Sequence, residues 1–348
     1  MSPRFDGWFF FASVAAVVLA WLASAGLGVA GFLILATVAV VSNGPHLAST
    51  WTRVYMDRRE WRTRPIHIFV IPAAIAATVF GLKLQGFEGT RILLSVLLYW
   101  ATWHFLSQNW GLLRIYQKRS GEPDRSLALR LEKPVLFLSV AWCLLHRLRT
   151  GPHALFGVEV YHLRPTLLTL NGLLAVVALL GGLLIGLRLR EPDPERRRSA
   201  WLRLGFIACA FIGFYVPFVL MTSVDGTTAF AAAACWHGFQ YIGIVRFYHR
   251  NAWRGGVHPD ARIVSWVSQP GAGRLVLYGL LLLALAGAGY LVIFTGSYFT
   301  RGSSWTIETW GAATWLSLTF SHYWLDGVIW KLRRDRQVAA RLLIEPAR

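Results

Sequence analysis

The chain has 348 residues, of which 55% are hydrophobic and only 15% charged, with 17 tryptophans and a mean hydropathy of +0.47. Soluble domains carry roughly 25% charged residues, so this composition excludes an ordinary soluble enzyme and a disordered nucleic-acid tail, and reads as an all-α, polytopic transmembrane bundle. The 35 Lys and Arg against 17 Asp and Glu give +18, an excess that in a membrane protein decorates one set of loops rather than marking a nucleic-acid partner.

A bilayer core of about 30 Å takes about 20 mainly apolar residues per helix. On that ruler ten spans are predicted in chain order, near 8–25, 28–52, 66–83, 92–116, 134–148, 166–187, 201–222, 227–248, 274–296 and 307–331. The first ends on Ala23-Ser24-Ala25, which also fits a cleaved signal peptide; the next apolar stretch begins almost at once, so an uncleaved span is the reading taken. The fifth is short and runs into His146-Arg147-Leu148-Arg149, so a tilted or interfacial helix is expected there. All eight residues from Glu191 to Arg198 are charged or proline, and the stretch is expected to be a solvated linker whose arginines touch anionic lipid. Cys143, Cys209 and Cys235 fall in apolar stretches without CxxC spacing, so they read as small buried residues.

Placing the N-terminus in the cytoplasm puts 29 of the 35 basic residues on that side and leaves Lys83, Arg91, Arg147, Arg149, Arg164 and Arg301 outside. This is the positive-inside pattern. It returns both termini to the cytoplasm and fits an integral protein of a bacterial inner (plasma) membrane, with the lipid bilayer as its surroundings.

Four of the ten histidines lie well inside predicted spans, each running from outside to inside. They are His46, His104, His237 and His322, and they precede the first following basic residue by 7, 10, 9 and 9 positions. At 1.5 Å per residue the four imidazoles share a depth, about 10–15 Å above the cytoplasmic charge collar. Three of these segments end on Arg-x-Tyr, at Tyr55, Tyr116 and Tyr248, which suggests a duplication of 1–120 and 200–336 around a connecting pair at 134–187 within one membrane domain. One turn after each histidine, on the same helix face, stands a polar residue: Thr50, Gln108, Tyr241 (with Gln240 one position earlier) and Asp326.

Polar groups in hydrocarbon are costly and face the bundle interior. A single such histidine bridges helices through a hydrogen bond; four at one depth point to shared metal ligation. Neutral imidazole suits iron, copper and zinc, and a ligating histidine gives its other N–H to a carboxylate, carbonyl or amide. On this reading His46, His104, His237 and His322 are ligands. Asp326, Gln108 and Gln240 orient them, and Tyr241 and Trp236 face a lipophilic small-molecule substrate. Two histidines on neighbouring helices could instead hold a haem for electron transfer, and a proton or metal transporter is a third class. Of the other histidines, His67, His249 and His258 at cytoplasmic ends or loops read as interfacial, and His146, His153 and His162 in the outer loop after the fifth span read as solvated, as an entrance cap or as a head-group contact.

The metal-binding and nucleophile motifs of zinc proteases, membrane desaturases, P-loop proteins and serine hydrolases are absent from the sequence. Trp236-His237-Gly238 resembles the catalytic-histidine tripeptide of membrane-bound O-acyltransferases. The wider arrangement, with Pro45-His46 near a helix start, Trp236-His237 on a later span, and His104 and His322 between and after, resembles the bacteriorhodopsin-related-protein family of membrane β-carotene dioxygenases. Leu47 stands where that family has glycine, and Tyr241 where it has a second histidine. The resemblance implies a four-histidine non-haem iron that binds dioxygen and cleaves or oxidises a lipid-soluble substrate.

Overall fold

The computed structural model describes residues 6–27, 29–123, 125–151, 153–221, 225–299, 307–331 and 335–342. In chain order the described elements are α1 (Gly7–Phe11 continuing as Ala12–Gly26), α2 (Val29–Val54), α3 (Arg58–Thr63), α4 (Ile66–Val70 continuing as Ile71–Lys83), α5 (Gly86–Arg119), α6 (Leu127–Thr150), β1 (Ala154–Leu155), β2 (Val158–Glu159), α7 (Leu167–Leu189), α8 (Pro194–Tyr215 continuing as Val216–Leu220), α9 (Gly226–Ala252), α10 (Arg262–Val267), α11 (Ala272–Phe299), α12 (Ile307–Ile329) and α13 (Arg336–Arg341). Every apolar segment read from the sequence is helical. Four of these helices, Ile66–Lys83, Leu167–Leu189, Pro194–Leu220 and Ala272–Ile293, are long and apolar enough to cross a membrane. Protein covers only 11% of the apolar window of α4 and of α7, and 17% of that of α11. Such faces suit lipid, since exposed apolar surface of this extent has no place in water.

Two expectations need correction. The fifth segment is not short: Ser126 Oγ accepts the Leu129 N–H at 3.2 Å and opens a 24-residue helix, α6. The expected linker is partly helical, because Asp193 accepts the Arg196 N–H at 2.9 Å and Pro194 takes the first turn of α8, a capping Asp followed by Pro being a strong helix start.

By internal packing the chain divides into two units, Met1–Ala39 with Thr102–Gln240, and Val40–Ala101 with Tyr241–Arg348. In the first, α6 packs on α7 and α8, and α1 lies on α8. Phe10, Phe206 and Tyr116 cluster there, with centroids 4.6 Å apart for Phe10–Phe206 and 5.3 Å for Tyr116–Phe206. The same unit buries a cluster of two carboxylates and two guanidinium groups. Arg188 reaches Glu122 and Glu132 at 2.6 Å each, and Arg203 bonds Glu132 at 3.0 Å and also Glu122. In the second unit α12 packs on α4 and α11, around Val54, Ile68, Leu325 and Ile329. An ion chain runs from Arg53 through Glu60 (2.5 Å) and Arg64 (2.6 Å) to Asp335 (2.5 Å).

Candidate metal centre

His46 follows Pro45 inside α2. Proline has no N–H, so the helix gives up one backbone bond a turn ahead of the imidazole. In the second unit His46 and His322 of α12 meet edge to face, with ring centroids 4.3 Å apart. Tyr241 of α9 packs against both, at 4.7 Å from His46 and 5.4 Å from His322. All three rings are buried.

Thr50 is the hub beneath them. Its hydroxyl lies 2.7 Å from His322 Nδ1, 2.8 Å from Tyr241 Oη and 3.1 Å from Asp326 Oδ1. The Tyr241 hydroxyl itself donates to Asp326 at 2.5 Å and accepts from Trp330 Nε1 at 3.2 Å. With Asp326 an acceptor, both hydroxyl protons go to it, so Thr50 accepts from His322 Nδ1–H. That tautomer leaves the lone pair of His322 on Nε2, the arrangement of a ligating imidazole whose other nitrogen is held by a polar partner. His322 and Asp326 lie 3.7 Å apart, so Thr50 stands as the link between them. Residues 322, 326 and 330 share one helix face by the i, i+4 rule, the signal by which Trp330 could have been found.

In the first unit His104 of α5 and His237 of α9 pair in the same edge-to-face manner, with centroids 4.8 Å apart, and Phe105 packs on His237 at 4.3 Å. Gln108 donates at 3.3 Å to the main-chain carbonyl of His237, so it braces the backbone of that residue. Trp236 is fully buried and lies over Gly213 of α8, where a Cβ would come within 3.0 Å of the indole; glycine at 213 is what allows this close approach. Gln240 is buried, and its side-chain amide has no hydrogen-bond partner among the described residues. Asn109 turns back to the Phe105 carbonyl at 2.8 Å.

The four buried histidines, His46, His104, His237 and His322, form a group in which one nitrogen from each lies within 4.8 Å of the others, a set able to hold a metal ion. Donors of this kind are neutral, borderline ligands suited to iron, copper and zinc. Of the residues expected beside them, Asp326 and Tyr241 are joined to the histidines through Thr50 and ring packing. Gln108 is placed on the His237 backbone and Trp236 on Gly213 of α8. Of the other histidines, His249 is buried beside Tyr278, and His258 accepts the Asp260 N–H to cap a short turn. Comparison with family models, curated proteins and solved structures finds no match.

Proposed function

We propose that the chain is a membrane-embedded oxygenase of about ten spans with both termini cytoplasmic, in which His46, His104, His237 and His322 hold one non-haem iron for the oxidation of a lipid-soluble substrate. The observation that carries this reading is the tight, buried group of four imidazoles. Nitrogens bound at roughly 2.0–2.1 Å to one ion lie about 3–4 Å apart, close to the spread of this group. A quartet so compact favours a bare ion over a macrocycle held between two axial histidines. The likeness of Pro45-His46 and Trp236-His237 to the bacteriorhodopsin-related-protein dioxygenases supports iron over copper or zinc.

Ferrous iron in such a site supplies dioxygen activation, and when both oxygen atoms enter the substrate no external reductant is consumed. The remaining tasks belong to the chain. Thr50 fixes the tautomer of His322, Asp326 anchors Thr50 and Tyr241, and Tyr241 wedges the His46 and His322 rings. Trp236, seated on Gly213, holds the α9 turn that presents His237.

The test is the purified protein itself. About one iron per chain, an absorption spectrum without a Soret band, and dioxygen uptake on adding β-carotene micelles are expected. A stoichiometric Soret band moves the reading to a bis-histidine haem protein, and absence of any bound transition metal overturns it. Thr50→Val, which keeps the side-chain volume and removes the hydroxyl, is expected to weaken metal binding about 10–100-fold, the usual cost of losing a partner that orients a ligand. Competition against a chelator of known affinity measures that change.

A further inference from the structure

The hairpin after α6 gathers a second set of metal-binding side chains. One ring nitrogen each of His153 and His162 and a carboxylate oxygen of Glu159 lie within 4.8 Å of one another, and the two imidazole centroids are 3.9 Å apart. The local fold explains why the two histidines meet. β1 and β2 pair antiparallel, Ala154 opposite Glu159 and Leu155 opposite Val158. They turn through Phe156 and Gly157, both at positive φ (52° and 76°), the two-residue geometry whose twist matches the strands. The pairing continues one step outward, Val160 N–H donating to the His153 carbonyl at 3.2 Å. His162, two residues beyond Val160, therefore falls on the His153 side of the ribbon. The tip is pinned as well, since the Phe156 N–H donates to Thr227 Oγ1 at 2.6 Å.

The hydrogen bonds around His162 point to one tautomer. Nδ1 lies 2.8 Å from the Val160 carbonyl, which can only accept, and Arg164 Nε–H donates to Nε2 at 3.3 Å. With the proton on Nδ1 and a backbone carbonyl holding that nitrogen, Nε2 is the donor toward a metal, as in metal-ligating histidines; the exposed Arg164 side chain that occupies its lone pair is displaced when an ion binds. Two imidazoles and one carboxylate are a zinc-type donor set that leaves a fourth position for water; hard cations such as magnesium and calcium prefer oxygen alone. Glu159 is exposed and both histidines are half-buried, so an ion can enter from solvent.

We infer that His153, Glu159 and His162 form a second metal site, separate from the four-histidine group, that binds zinc from solvent and clamps the base of the hairpin. The full-length protein in detergent, stripped with chelator and titrated with zinc, tests this. The wild type is expected to take up one more equivalent than the His153→Ala/His162→Ala double variant. The same one-equivalent difference is expected in a His46→Ala/His322→Ala background, which separates this site from the buried one. Cobalt substitution is expected to give visible d–d bands in that background that the hairpin variant lacks, and Glu159→Gln, a change at an exposed position, lowers zinc affinity at least tenfold. Equal zinc stoichiometry with and without the two hairpin histidines, or an unchanged affinity in Glu159→Gln, overturns the proposal.

Discussion

His322→Ala is expected to strip the bound metal from the protein, with a loss of affinity exceeding the roughly 10–100-fold that removal of an orienting partner costs. The change deletes a donor nitrogen, and it also leaves Thr50 without the N–H that lies 2.7 Å away, so the hub binding Tyr241 and Asp326 is loosened at the same time. His46→Ala, His104→Ala and His237→Ala are expected to act in the same direction, each removing one member of the group. His67→Ala provides the contrast: this half-buried ring lies 5.8 Å from Trp324, outside the four, and its loss is expected to leave metal content unchanged. Elemental analysis of the five variants beside the wild type decides the matter. Full metal retention by all four site variants would falsify the shared centre.

The four histidines were legible because hydrophobic runs fix where helices lie and basic residues fix depth within them. The spacing of His46, His104, His237 and His322 from the next basic residue is a one-dimensional quantity, so it singles out these four without saying which rings touch. The i, i+4 rule was similarly half informative. It places Thr50 on the face of His46 and Tyr241 on the face of His237, yet the Thr50 hydroxyl serves His322 and Asp326, and the Tyr241 hydroxyl serves Asp326. Same-helix spacing identifies a polar face; partners across helices depend on rotation and packing, which spacing does not encode. The hairpin site was harder still, because the convergence of His153 and His162 depends on positive φ at Phe156 as well as Gly157, and phenylalanine carries no signal for that conformation.

Charge reading shows the same division. A count of Lys and Arg yields a one-sided distribution only by treating every basic residue as solvated. Arg188 and Arg203 are instead buried, with relative exposures of 1% and 0%, as is Glu132 at 0%. The sequence places these residues at the margins of apolar runs, where a count cannot tell a loop charge from one enclosed by α6, α7 and α8.

Glu132→Ala is accordingly expected to be among the most destabilising single changes in the molecule, at about 3–5 kcal/mol. The carboxylate receives Arg188 at 2.6 Å and Arg203 at 3.0 Å, and its removal leaves two guanidinium groups sharing Glu122 in a space closed to water. Replacing all four members together by apolar residues of similar volume is expected to be far milder, near neutral or stabilising, because the cost of desolvating four charges disappears along with their attraction. The midpoint of thermal unfolding in detergent, compared for the single variant and the fourfold variant, separates these cases; equal losses in both would mean that side-chain packing, not charge compensation, dominates. Acid offers an independent check through Glu122. Burial alone would raise its pKa, but Arg188, Ser126 and Arg203 outweigh that and hold the carboxyl below its ordinary value. A carboxylate depressed on folding contributes stability above its unfolded pKa, about 4.3, and loses it as pH falls through the lower folded value. The stabilising part of Glu122 is therefore expected to be intact at about pH 5 and to fade only in stronger acid, and Glu122→Gln is expected to flatten that portion of the stability profile.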